Sequence, residues 1–304
     1  MKTGKGKTRL SQLLSDAQLP AMPQSAIHII ELSRDPGIGP AEFAVPIEAD
    51  PGLTGQVLRF VNSSYFGFRH QVASVKSAIT LVGVRTIKNF ALWSAVFGLL
   101  PDPKCGPFDL KSLWQDSLRR GIFSRAFGKI LGLTEADDLF AASLLQDMAI
   151  PLLAKAMPAE YRRLLESRNG GTRRLSDLER EEFAWTHAEA GGLIARHWRL
   201  PESIATRIQS HIGEAKLPIR AMTDPAAATV VLSSWLPSTR DASWPDETAF
   251  SQGFRAIVDK KAPPLASVFE DVDSEFTRFA PILNLPSASR ALSDFLIDKA
   301  GPVT

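Results

Sequence analysis

One carboxylate sets the chemical question. Asp147 lies in "LFAASLLQDMAIPLLAK" (Leu139–Lys155), a mostly apolar stretch with a single acidic side chain. Its periodicity predicts one buried helix. A buried, unpaired carboxylate costs several kcal/mol or is forced to take up a proton. Asp147 therefore needs a partner, and Gln146, His187 or a nearby arginine would serve. A His-Asp dipeptide at this point would offer two metal ligands. Here the preceding residue is Gln146, whose neutral amide lacks an imidazole's donor strength and a carboxylate's charge.

Other chemistry-bearing patterns are excluded by spacing. His187 followed by Glu189 does not make HExxH, and "TGKGKT" lacks the spacing of a phosphate-binding loop. No GxGxxG and no Gly-x-Ser-x-Gly elbow occurs. Cys105 is the single cysteine, which rules out an internal disulfide framework and a cysteine-based zinc site and fits a reducing cytoplasm. His28 and His70 are expected at the surface or its boundary, and His197 near a helix end that favours positive charge.

The elements that must position these residues read as helices. The 304 residues are 44% hydrophobic and 22% charged, as in ordinary globular proteins. Removing the four cations Lys2, Lys5, Lys7 and Arg9 from the net charge of +2 leaves −2, so the body carries no general polyanion-binding charge. Residues 1–10 are expected to form a disordered basic tail. "FALWSAVFGLL" is about half a membrane span and is expected to be a buried helix. With no signal-peptide pattern, a cytoplasmic location without membrane contact is expected.

Strand-like alternation is absent, and the fold class expected is all-α. A first helix runs through Ile27, Ile30 and Arg34. Asp50-Pro51 opens another that aligns Leu53, Val57, Phe60 and Val61. Ser74 caps a helix bearing Val75, Ala78, Ile79 and Val82, which Gly83 ends. Ser176 with Glu179 fits a capping box, and Pro201-Glu202 suits a first turn. The "SVKSAITLVGVRTIKNFAL" stretch has a helix–turn–helix look with Arg85 and Lys88, but it is largely apolar after Asn89. Arg162, Arg163, Arg168, Arg173 and Arg174 are offset by Glu160, Glu166 and "DLEREE", which predicts a solvated face. A nucleic-acid partner is not expected.

Seven segments in order carry a family resemblance: "LPAMPQSAIHIIELSRDP", "IEADPGLTGQVLRFVNSSYFG", "VASVKSAITLVGVRTIKNFAL", "LWQDSLRRG", "AASLLQDMAIPLLAKAMPAEY", "THAEAGGLIARHW" and "LPESIATRIQSHI". From Leu19 to Leu236 the chain resembles the HDOD family, bacterial output domains related to HD metal-dependent phosphohydrolases. The resemblance implies a multi-helix HD-like bundle with an N-terminal helical lobe (11–104), an HD-like lobe (105–236) and a C-terminal helical extension (237–304). Carried over by position, the enzymes' early His falls at Asp116, the His-Asp pair at Gln146-Asp147, further histidines at His187 and His211, and a closing Asp at Ser234. The expectation is a vestigial pocket of these six residues, without catalytic residues, cofactor or metal. Any metal would fall to Asp116, Asp147, His187 and His211.

The implied role is a non-catalytic signal-transduction output that acts through signalling protein partners, with a small ligand or nucleotide as a candidate modulator. The alternative is a residual metal-dependent phosphohydrolase acting on a nucleotide or phosphoester. No receiver or nucleotide-signalling segment is seen in the sequence, so the input is expected from a separate partner.

Overall fold

A computed structural model describes residues 10–16, 19–32, 35, 37–213, 223–258 and 262–297, and among them there is no strand. The four cations of the basic tail and Arg34 lie outside the described residues, whereas Leu10 is helical and buried.

The N-terminal helices are α1 (Gln24–Leu32), α2 (Pro40–Glu48), α3 (Pro51–Val61), α4 (Val75–Val82) and α5 (Val84–Leu99). Their ends follow local chemistry. The Asp50 side chain accepts from Leu53 N at 3.1 Å and Ser74 Oγ from Ser77 N at 3.1 Å. Gly83 takes φ 89° between α4 and α5, a turn that favours glycine. Leu53, Val57, Phe60 and Val61 are all buried, as are Val75, Ala78 and Ile79, while Val82 is partly buried. In α5, Arg85 donates to Thr134 O and Lys88 pairs with Asp138, so the helix with the recognition-helix look is docked onto the next part of the chain.

That part begins with α6 (Leu110–Ile130), followed by α7 (Ala136–Leu145), α8 (Ala149–Ala156), α9 (Pro158–Ser167), α10 (Leu175–Phe183), α11 (His187–His197), α12 (Glu202–Ser210) and α13 (Pro225–Ser234). The expected single helix around Asp147 is in fact two, α7 and α8, with Gln146, Asp147 and Met148 in the break. Pro151 is the physical reason. It has no N–H to donate to the carbonyl four residues back, which is that of Asp147, and its ring crowds that carbonyl. The 136–156 stretch is apolar and long enough to cross a membrane, but 89% of its window is buried inside the protein.

After α13 come α14 (Glu247–Ile257), α15 (Leu265–Phe279) and the short α16 (Asp294–Ile297). These close on α6 rather than hang from it. Phe123 lies 5.5 Å from Phe250 and 6.5 Å from Phe269, and Phe127 lies 5.1 Å from Phe254, measured between ring centroids. Arg125 pairs with Glu275, donates to Tyr65 Oη at 2.6 Å and sits over the Phe140 ring, which joins the two ends of the chain to its middle. One apolar core runs through all three parts.

Phe123 is fully buried at this junction. Phe123→Ala should lower unfolding free energy by about 3–5 kcal/mol in a denaturant titration. A loss below roughly 1 kcal/mol would show that the C-terminal helices are not part of the same core.

Candidate functional site

The break between α7 and α8 turns Asp147 out of the helix interior and toward α6, α11 and α12. Arg120 of α6 forms an ion pair with Asp147 Oδ2. His187 Nε2 and His211 Nε2 approach Asp147 Oδ1 at 3.4 and 3.5 Å and each other at 3.3 Å. Of the partners the sequence allowed, an arginine and His187 serve, joined by His211. Gln146 does not: its Oε1 accepts from Ser233 Oγ at 3.2 Å, and its Nε2 is buried without a partner among the described residues.

Local sequence explains how the two imidazoles meet. His187 opens α11 behind a capping box of Thr186 and Glu189, so Glu189 serves the helix start. His211 follows α12 as its C-cap. The helices cross closely because Gly191 and Gly192 lack side chains. A Cβ at Gly191 would stand 2.8 Å from Ile208 Cγ2, and one at Gly192 2.6 Å from Gln209 Cβ. The helix-interior glycines cost roughly 0.5–1 kcal/mol each in propensity, which the close packing offsets.

Glu179 is the residue that sequence reasoning misplaced. It does not form a capping box with Ser176, because α10 starts at Leu175 with Arg174 as its N-cap. Fully buried, Glu179 accepts from His187 N at 2.8 Å, lies 2.6 Å from His187 Nδ1, and accepts from Tyr161 Oη at 2.6 Å. His211 Nδ1 in turn lies 2.6 Å from Ile208 O. Each ring is thus held through Nδ1 and turns Nε2 toward Asp147. A periodicity signal was available, since Glu179 falls on the same α10 face as the buried Ser176 and Phe183.

The charges in this knot are set by one another. Burial pushes the Asp147 carboxyl up, but Arg120 and hydrogen bonds from His187 and His211 hold it well below the usual carboxylate range. Burial pushes His187 down, yet the Glu179 charge and hydrogen bonds to Asp147 and Glu179 raise it to about 10. His211 goes the other way, lowered mainly by burial with only partial compensation from Asp147. The surroundings thus favour the charged form of His187 and the neutral form of His211.

All six positions carried over from the resemblance line a cavity of about 280 Å³. They do not converge on one point. Asp147, His187 and His211 have ligand atoms within 4.8 Å of one another, and Asp116 is outside this group. Both Asp116 oxygens are engaged elsewhere, accepting from Ser238 Oγ at 2.5 Å and Thr239 N at 2.7 Å. Ser234 donates to His211 O at 2.9 Å. The segment after α13, with Leu236, Ser238, Asp241 and Asp246 among the lining residues, forms a cavity wall. Arg168 and Arg174 hold it there through Asp241 and Asp246. These two arginines are about three-quarters buried in their side chains, so they do not belong to the solvated face that the sequence suggested. His28, His70 and His197 are exposed, away from this cluster.

A divalent cation of the zinc type fits part of this donor set. Spacings of 3.3–3.5 Å suit tetrahedral ligands with bonds near about 2.0–2.2 Å, and each imidazole has its other nitrogen held by an acceptor. A two-metal centre does not fit, since Gln146 is turned away and Asp116 is committed to the Ser238 loop.

The shifts carry a sign for stability in protein stripped of metal by chelator. The His187 contribution is complete below about 6.5, its unfolded value, and is lost as pH rises through about 10. His211, kept neutral in the fold, works against stability as pH falls below about 6.5. Thermal melts should therefore peak near neutrality and decline toward pH 10, and His187→Gln should flatten the alkaline limb. An alkaline limb of wild-type steepness in that variant would refute the assignment.

A family model for the HDOD domain matches residues 19–213. An uncharacterised protein of Treponema pallidum (strain Nichols) is 25% identical over 210 residues, covering 67% of this chain, which spans 40% of that relative's length. A solved structure of a candidate phosphohydrolase from Shewanella amazonensis SB2B superimposes with a TM-score of 0.68 at 19% identity, over 89% of this chain and 97% of that one. A candidate signal transduction protein from Marinobacter aquaeolei VT8 gives 0.64 at 17% identity, over 99% of this chain and 66% of that one. These likenesses concern the fold. With more than half of its length matched by the family model, and with the helical order to go with it, the chain belongs to the HDOD domain family.

Proposed function

We propose that this protein is a non-catalytic regulatory module of bacterial signal transduction, working through contacts with protein partners and modulated by a small ligand in the cavity around Asp147. The observation that carries this reading is the Arg120–Asp147 ion pair. A carboxylate meant to hold a hydrolytic metal is here neutralised from within by a side chain of the fold itself. Two further positions where the related enzymes place ligands hold Gln146 and the committed Asp116. Hydrolysis of a phosphoester needs an activated water and charge relief on the phosphoryl oxygens. Arginine alone supplies the second without the first. The name of the Marinobacter neighbour points the same way.

One observation favours the alternative, a residual metal-dependent phosphohydrolase. Asp147, His187 and His211 could together hold a divalent cation with an open position. Bound there, the cation would supply a water of lowered pKa, while Glu179 would keep the His187 ring in place.

Purified protein supplied with Mn²⁺ or Zn²⁺ and bis(p-nitrophenyl) phosphate should show no turnover above the metal-ion blank. Chelator-sensitive turnover that Asp147→Asn abolishes would overturn the regulatory reading. Arg120→Ala, which leaves the buried Asp147 with only the two imidazoles, should cost about 1.5–3 kcal/mol of stability in urea unfolding, as loss of a hydrogen bond to a charged group implies, and Arg120→Ala with Asp147→Ala should restore part of it.

A further inference from the structure

We infer that the first turn of α10, with Ser176, is a binding site for the phosphate group of a small molecule held in the cavity. This deepens the reading of the cavity as a ligand site and rests on that reading alone, not on whether the protein is regulatory.

The 9-residue helix α10 opens without a side-chain cap. The N–H groups of a helix's first turn have no partner within the helix and carry the positive end of its dipole. Arg174, Leu175 and Ser176, which make this helix start, line the cavity. Ser176 supplies the second, independent sign. It is 7% exposed, its hydroxyl forms no hydrogen bond among the described residues, and the residue lines the cavity. The capping box suggested by sequence would have consumed this hydroxyl. Because the helix starts two residues earlier, with Arg174 as its N-cap, the hydroxyl is left without that partner beside the cavity.

The rest of the wall fits an acceptor-rich anion. Its five carboxylates are already engaged: Asp109 with Ser112 N, Asp116 with Ser238, Asp147 with Arg120, Asp241 with Arg168 and Asp246 with Arg174. Among its arginines, Arg240 is exposed at the cavity, where its charge acts on Asp109, and its guanidinium forms no hydrogen bond or ion pair among the described residues. Each wall carboxylate thus already faces a donor, which leaves the Ser176 hydroxyl and the Arg240 guanidinium as donors without a hydrogen-bonded partner among the described residues. A phosphate accepts from helix N–H groups, hydroxyl and guanidinium together, which is how helix N-termini bind such groups. The volume of about 280 Å³ is that of about nine water molecules, enough for a phosphate and a short organic remainder.

The test is thermal melting and calorimetric titration of the full chain with inorganic phosphate and with glycerol 3-phosphate, against glycerol and potassium chloride at matched ionic strength. Both phosphates should raise Tm in a saturable way, and the two controls should not. Ser176→Ala should weaken phosphate binding about tenfold or more, as loss of a hydrogen bond to a charged group implies. Arg240→Ala should weaken it too, and being exposed it leaves the core intact. Ser176→Asp, whose carboxylate suits a helix first turn, should abolish binding by occupying the same donors. Phosphate effects no larger than those of chloride, or wild-type affinity in Ser176→Ala and Arg240→Ala, would overturn the site. Chelator-sensitive turnover with phosphate binding intact would remove the regulatory reading and leave this one. Absence of both turnover and phosphate binding would do the reverse.

Discussion

The Arg120–Asp147 ion pair organises the polar interior of this fold. A carboxylate this deep cannot stay charged without compensation, and partial satisfaction would be worse than an apolar core. Meeting its needs recruits four elements. Arg120 comes from α6, Asp147 from the α7–α8 break, His187 from α11 and His211 from the end of α12. Each of these then requires its own partners. Glu179 and Tyr161 extend the network behind His187, and Ile208 O does so behind His211. The polar knot thus fixes the relative placement of helices that apolar packing alone would leave free to slide.

The same helix that supplies Arg120 also holds the C-terminal segment. Gln115 donates to Pro286 O and Ser287 O, Asp116 accepts from the Ser238–Thr239 turn, and Arg119 donates to Arg290 O. These residues lie within about one and a half turns of Arg120. The wall of the cavity and its polar floor are therefore two outputs of a single helix. Events at Asp147 and at the segment after α13 are mechanically adjacent, because Arg120 and Asp116 are neighbours one turn apart on α6.

The arrangement separates two kinds of polar residue at the cavity. At Asp116 the carboxylate anchors a loop, and at Gln146 the amide oxygen accepts from Ser233. The histidines, by contrast, retain paired Nδ1 acceptors of the kind that orient metal-bound rings. That ring placement, with Gln146 and Asp116 engaged elsewhere, is why a single-cation site fits where a two-metal one does not.

Much of the fold was legible in the chain itself. Asp50, Ser74 and Gly83 act where their local chemistry placed them, since capping and left-handed turns depend on neighbouring backbone only. The apolar faces of α3 and α4 are buried because helical periodicity reports directly on a face. The break at Asp147 was encoded in Pro151, but the apolar pattern on both sides masked it. Who pairs with whom was settled by packing. Arg120 is 27 residues from Asp147, Asp116 is 122 from Ser238, and Arg168 is 73 from Asp241. Nothing local marks such pairs, because a charged side chain's partner is chosen by distance in space once the apolar faces have closed. Residue types determined that Asp147 must be answered; packing determined that a guanidinium and two imidazoles answer it.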